Sequence, residues 1–198
     1  MSLRGRREFL SGASAASASL AAFAAFSALS LRAGPAHATL LRGLPLPVLV
    51  LCSTRVVVLE PLEAVCRYAE IGGRRSIVTD TQVAVHHSWH GNDTATQLTL
   101  RTLGGRLDGV GELVHGQPLL ELGVRGVGFL KLGRDGDVWW TTGMAQGHYP
   151  LTDASGEARL LADRQLPTLV NLETSAVKQL VGRRRNEAEQ LVRQVVRP

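Results

Sequence analysis

Residues 86–90 read His-His-Ser-Trp-His and hold three of the six histidines in a 198-residue chain. Imidazole is the commonest metal ligand, and it is the side chain that exchanges a proton near neutral pH. The chemistry in view is therefore metal binding or acid–base work, and spacing decides between them. Val83-Ala84-Val85 precedes the cluster and Gly91 follows it, so the cluster is expected on a strand. Side chains alternate across a strand. His87 is then expected inward with Val83, Val85 and Trp89, while His86 faces outward with Ser88 and His90. His86 and His90 would stand about 13 Å apart at ~3.3 Å per residue. One zinc holds its ligand nitrogens at about 2 Å, so this pair alone does not chelate. The H-E-x-x-H order of a helical zinc site is missing. The cluster is expected to be a strand end, and a metal site would need His115 or His148 to converge on it from elsewhere.

Other chemistry-bearing residues are sparse. Residues 104–128 are rich in glycine but contain neither G-x-G-x-x-G nor G-x-x-x-x-G-K-[ST], so turns and bulges account for them. No G-x-S-x-G surrounds Ser53, Ser76, Ser88 or Ser155. Asp135 and Asp137 are paired carboxylates, but Gly-Arg-Asp-Gly-Asp at 133–137 has the composition of a hairpin turn. Cys52 and Cys66 form no C-x-x-C pair. An oxidising compartment permits a disulfide between them; two buried thiols are the alternative. Trp139 and Trp140 must point to opposite faces of their strand, which puts one in the core and offers the other as a contact surface.

The elements that position these residues alternate with period 2. Arg55–Leu59 predicts a strand buried on both faces. Ser76–Trp89 predicts a long strand after a Gly72-Gly73 turn. Thr96–Leu103 is the next strand. Val127–Leu132 and Asp137–Thr141 pair as a hairpin, and Gly147–Leu151 adds an edge strand held there by Pro150. Short strands with tight turns predict a mainly β fold, a small antiparallel curled sheet or OB-like β-barrel, over 39–170. Over 171–198 the period changes: Val177, Leu180, Val181, Ala188, Leu191, Val192 and Val195 keep a helical spacing. Gly182 and Arg183–Arg185 break the stripe midway, so the expectation is one C-terminal helix, with two shorter ones as the alternative.

Residues 1–38 have the order of an export signal. Arg4, Arg6 and Arg7 precede a weakly apolar Ala/Ser stretch, and Ala36-His37-Ala38 is an A-x-A cleavage site. Arg6-Arg7-Glu8-Phe9-Leu10 is similar to the twin-arginine (Tat) motif, with Arg6, Arg7, Phe9 and Leu10 as its recognition residues. Cleavage after Ala38 leaves 160 residues, enough for one domain. The expected location is periplasmic or extracellular, with the Tat translocase as the export partner. The net charge of +5 resides at the ends. Without the signal it is +2, and residues 39–170 carry −1, which gives nucleic-acid binding no support. The apolar run Leu44–Leu51 is broken by Pro45 and Pro47 and is far shorter than the ~20 residues of a membrane span.

Seven short matches run through 53–151: Val56–Val58, Arg75–Thr79, Arg101–Gly105, Val114–Pro118, Leu120–Gly123, Phe129-Leu130 and Ala145–Tyr149. In this order they resemble a group of uncharacterised exported bacterial proteins. More loosely, Val85–Gly91 and Gly126–Leu130 are similar to strand ends in the OB-type barrels of netrin-like and tissue metalloprotease-inhibitor domains. That resemblance implies the fold only. Those domains inhibit through an N-terminal cysteine, and none opens the processed chain here. The expected function is binding or structural, toward a protein, peptide or envelope partner. The rival expectation is a metal- or cofactor-binding exported protein, or an enzyme, using His86, His90, His115 or His148.

Overall fold

A computed structural model of the chain describes residues 40–196, apart from Asp93, Asp135, Ala154 and Gly156. The signal residues Arg6, Arg7, Phe9, Leu10, Ala36 and Ala38 lie outside the described residues, as does Asp135. In chain order the elements are β1 (Leu40–Arg42), α1 (Leu46–Leu51), β2 (Arg55–Ile71), β3 (Arg74–His90), β4 (Gln97–Leu103), β5 (Gly105–Leu107) and β6 (Val110–Glu112). They continue with β7 (Gly126–Leu132), β8 (Trp139–Thr141), β9 (His148–Pro150), β10 (Thr168–Val170), α2 (Ala176–Leu180) and α3 (Arg185–Val196). The fold is mainly β, with a helical C-terminal end.

The main sheet has the order β2-β3-β4-β8-β7-β9, and β7 also pairs with β2. Neighbours are antiparallel except β4 and β8, which run parallel and meet at the single pair Leu100–Trp139. The sheet thus curls back on itself, firmly along β2–β7 and loosely at β4–β8. The result is a curled sheet, a partly open barrel of OB-like order.

The Val-Val-Val run explains how this curl is held. Alternation sends Val57 and Leu59 into the curl, against Val83, Leu98, Leu100, Leu130 and Trp139. Val56 and Val58 face the other way, into a second core with Trp89, Phe129, Tyr149, Leu160 and the helices. These four residues of β2 are at most 1 % exposed, each contributing roughly 1.5–3 kcal/mol by leaving water. The second core takes Leu46, Leu49 and Val50 from α1, Val177 and Leu180 from α2, and Ala188 and Val192 from α3. The tail is therefore packed onto the outside of the sheet and shares a core with β2. Ser175 caps α2 by accepting from the Lys178 N–H at 3.2 Å. Gly182, at φ +82°, ends the α2 segment before α3 begins.

Alternation fails at the end of β3. His86 is an extra residue there: Val58 pairs with His87 and Leu59 with Val85. Trp89 is a second one, between Ser88 opposite Val57 and His90 opposite Val56. Each bulge inverts the faces of the residues beyond it. Trp89 still reaches the core, but His87 does not. Its side chain is 51 % exposed, which corrects the inward placement expected from strict alternation.

Candidate functional site

The bulged histidines end in ion-pair networks. His86 Nε2 lies 2.9 Å from Glu60 Oε2, and the same oxygen accepts from Arg125 Nε at 2.8 Å. Bonds from Arg125 first, and then from His86, hold the Glu60 carboxyl below its ordinary range. His87 Nε2 lies 3.0 Å from Glu189 Oε1 on α3, which also accepts from Arg193 Nε at 2.8 Å. Burial pushes Glu189 up, yet the bonds from His87 and Arg193 outweigh it and hold the carboxyl low. These contacts fasten a strand to its neighbours. His90 is half-buried at the strand end, its carbonyl accepting from Ser88 Oγ. His115 is exposed on the connection after β6, and His148 is buried on β9. Among the described residues no three His, Cys, Asp or Glu side chains gather as a metal site.

His148 is the histidine best placed for chemistry. Its Nδ1 lies 2.6 Å from Asp163 Oδ2, with both side chains at most 3 % exposed. Asp163 also accepts from the backbone N–H groups of Leu119 and Gln165, at 3.0 and 2.8 Å. A carboxylate that orients an imidazole is how many enzymes hold a general base. A base must also reach a substrate. Here Nε2 is buried without a hydrogen-bond partner among the described residues, and a Cβ added at Gly126 would come within 2.8 Å of it. His148 borders a cavity of about 180 Å³ lined largely by Leu119, Val124, Pro150 and Leu161. As built, the pair ties β9 to the 163–165 turn; it does not present a base to solvent.

Neither cysteine is paired. Cys52 is exposed just after α1, and Cys66 is half-buried on β2 with Sγ 3.4 Å from Thr79 Oγ1. The disulfide weighed from the sequence is not formed in this structure.

Trp139 and Trp140 divide as the alternation predicts. Trp139 is buried in the curl, with the Arg55 guanidinium 5.8 Å from its ring centre. Trp140 is half-exposed and lines a groove of about 530 Å³. The groove opens where β4 and β8 part after their one shared pair. Leu103, Leu132 and Met144 supply apolar walls, and Lys131 and Arg134 supply charge. Among the described residues no carboxylate lines it. Gln117 stabilises the loose end of β4, its Oε1 accepting the Leu103 N–H at 3.2 Å. Gly133 leaves room for the indole: a Cβ there would meet the Val138 carbonyl at 2.9 Å and Trp140 Nε1 at 3.0 Å.

The sequence signalled the Trp139-Trp140 pair but neither which of the two is exposed nor the groove, because the groove depends on where two strands stop pairing. His148 was visible as a residue, but its Asp163 partner was not, since nothing local links them. No helix among the described residues is long and apolar enough to cross a membrane. Comparison with known protein families, with curated proteins and with solved structures finds no match to this chain.

Proposed function

We propose that this chain is an exported binding module that holds an acidic, extended segment of a partner protein in the Trp140 groove. The observation that carries the reading is the lining of that groove. It combines a half-exposed indole with Leu103, Leu132 and Met144, and its charged members Lys131 and Arg134 are both cationic. Its volume lies within the ~300–1,000 Å³ range of ligand sites. Aromatic anchors beside cations favour a ligand that alternates apolar and acidic side chains.

The test uses the purified chain and a synthetic peptide alternating Glu and Leu, with a Lys/Leu peptide as the control. The Glu peptide should bind, perturb tryptophan fluorescence and lose affinity as salt is raised. Trp140→Ala should weaken binding about tenfold or more. Lys131→Glu with Arg134→Glu should remove both the binding and its salt dependence while leaving the melting temperature nearly unchanged. Equal affinity for the Lys peptide, or indifference to both variants, would refute the site.

Export rests on Arg6-Arg7 ahead of Glu8-Phe9-Leu10 and on the weakly apolar stretch that follows. An ammonium does not reproduce the planar fork of guanidinium donors. Changing Arg6 and Arg7 to Lys should therefore trap uncleaved precursor in the cytoplasm, as read by fractionation and immunoblot. Normal export of the Lys-Lys variant would point to a different route.

A further inference from the structure

From Leu62 onward β2 has a free edge. Its first five residues, Arg55–Leu59, are paired on one side with β7, and the Pro61 carbonyl accepts the Gly123 N–H. Along Glu63–Ile71 the strand partner of β2 is β3 alone. The opposite edge of this stretch, among the described residues, carries no strand. Leu62, Glu63, Ala64 and Val65 are four exposed residues in a row, with Leu62 at 48 % and Val65 at 52 %. Unpaired edge groups of this kind are a template for another strand.

The residues on this edge say which strand fits. Around Val65 the sequence Glu63-Ala64-Val65-Cys66-Arg67 has opposite charges at equal distances from its centre. Placed antiparallel to itself with Val65 on the two-fold axis, it sets Glu63 against Arg67 twice and Leu62 against Tyr68 twice. A register slipped by three residues, with Cys66 facing Arg67, would instead set Glu63 against Glu70. Opposite charges across an antiparallel pair stabilise and like charges destabilise, so the Val65 register is favoured. Arg67 is half-exposed on this stretch and reaches across to β3. Its Nε donates to Asp80 Oδ2 at 2.6 Å, while Arg101 grips both oxygens of that carboxylate at 2.6 and 2.7 Å. Two guanidinium groups around one carboxylate leave positive charge for an incoming Glu63. The pairing would stop at Leu62 opposite Tyr68, because the Pro61 carbonyl already accepts the Gly123 N–H.

We infer that two copies of this chain associate through the free edge of β2, antiparallel and centred on Val65, which would join their curled sheets into one continuous sheet. The inference is independent of the Trp140 groove.

Sedimentation equilibrium of the purified chain should show a concentration-dependent dimer. Glu63→Arg places two arginines opposite each other at both symmetry-related pairs, and Arg67→Glu does the same with two glutamates. Each should raise the dimer dissociation constant about tenfold or more. Mixing the two variants should restore association. At one pair the introduced arginine then meets the introduced glutamate, and at the other the native Glu63 meets the native Arg67. Glu63 is exposed and its side chain is not used in any ion pair described above, so its variant is expected to fold, and circular dichroism of both variants checks this. A chain that stays monomeric at every concentration, a dimer insensitive to both changes, or variants that do not pair with each other would each overturn the inference.

Discussion

Asp163→Ala is expected to lower the unfolding free energy by about 3 kcal/mol or more, since each buried donor left unsatisfied costs ~1–3 kcal/mol. Asp163 accepts three hydrogen bonds, from His148 Nδ1 and from the N–H groups of Leu119 and Gln165. Its side chain is fully buried and that of His148 nearly so, so water cannot replace the lost acceptor without opening the structure. The loss falls on two long-range joins, because Leu119 belongs to the connection between β6 and β7 and His148 to β9. For a chain of this length the midpoint of thermal unfolding should drop by about 6–12 °C. Asp163→Asn keeps one acceptor oxygen and should fall between Ala and the native residue. A drop under ~2 °C for Asp163→Ala would show that the pair does not lock the fold. The neighbouring cavity would then become the next place to test for a ligand.

Gly147→Ala should be at least as damaging, for a reason of space. Gly147 ends a buried 3-10 turn, Met144–Gly147, that leads from β8 into β9. An added Cβ would collide with the carbonyl oxygen of Thr142. That residue is fixed in turn, because its N–H donates to Phe129 on β7 at 2.8 Å. The methyl therefore fits only if the turn moves away from β7, at about 3 kcal/mol, the upper end for overpacking a tight core. Gly182→Ala is the control. Gly182 has φ +82° and nothing within 4 Å of the added Cβ, so it should cost only the ~1–2 kcal/mol of left-handed backbone. Denaturant titration of both variants separates steric from conformational cost, and equal losses would contradict the packing described around Thr142.

What could be read from the sequence follows the range of each signal. Alternation is local, and it located β3, β4, β7, β8, β9 and the Arg55–Leu59 start of β2, along with the two-faced burial of Val56–Leu59, but not the continuation of β2 to Ile71. The helical spacing from Val177 to Val195 located α2 and α3, with the break at Gly182. Bulges are invisible to a period count, so His87 was expected inside and lies outside. The hairpin of β5 and β6 had a usable signal: Asp108-Gly109, with φ of +52° and +79°, is the composition that a tight two-residue turn requires. It was masked by the many other glycines nearby. The helix α1 was hidden by Pro45 and Pro47, although a proline in the first turn is compatible with a helix. For the site, the composition offered one of Trp139 and Trp140 as a contact residue without saying which. The Lys131–Arg134–Met144 surroundings and the His148–Asp163 pair come from chain crossings that no local pattern encodes.

The pairing of β1 with β10 sets a condition on how the protein can be made. Leu40–Arg42 runs parallel to Thr168–Val170, and the Gly43 N–H continues the ladder to the Val170 carbonyl at 2.8 Å. A little further on, the Leu44 carbonyl accepts the Ala176 N–H, and α1 packs in one core with α2 and α3. The first described elements of the chain thus have their partners among the last. A ribosome delivers those partners only after the intervening residues 43–167, so the layer that begins at Leu40 has nothing to pack on until they emerge. Val56 and Val58 remain partly uncovered until α3 emerges. Folding of this domain is therefore completed only once α3 has emerged, and a chaperone that shields the outer face of β2 until then would be protecting the surface that stays open longest.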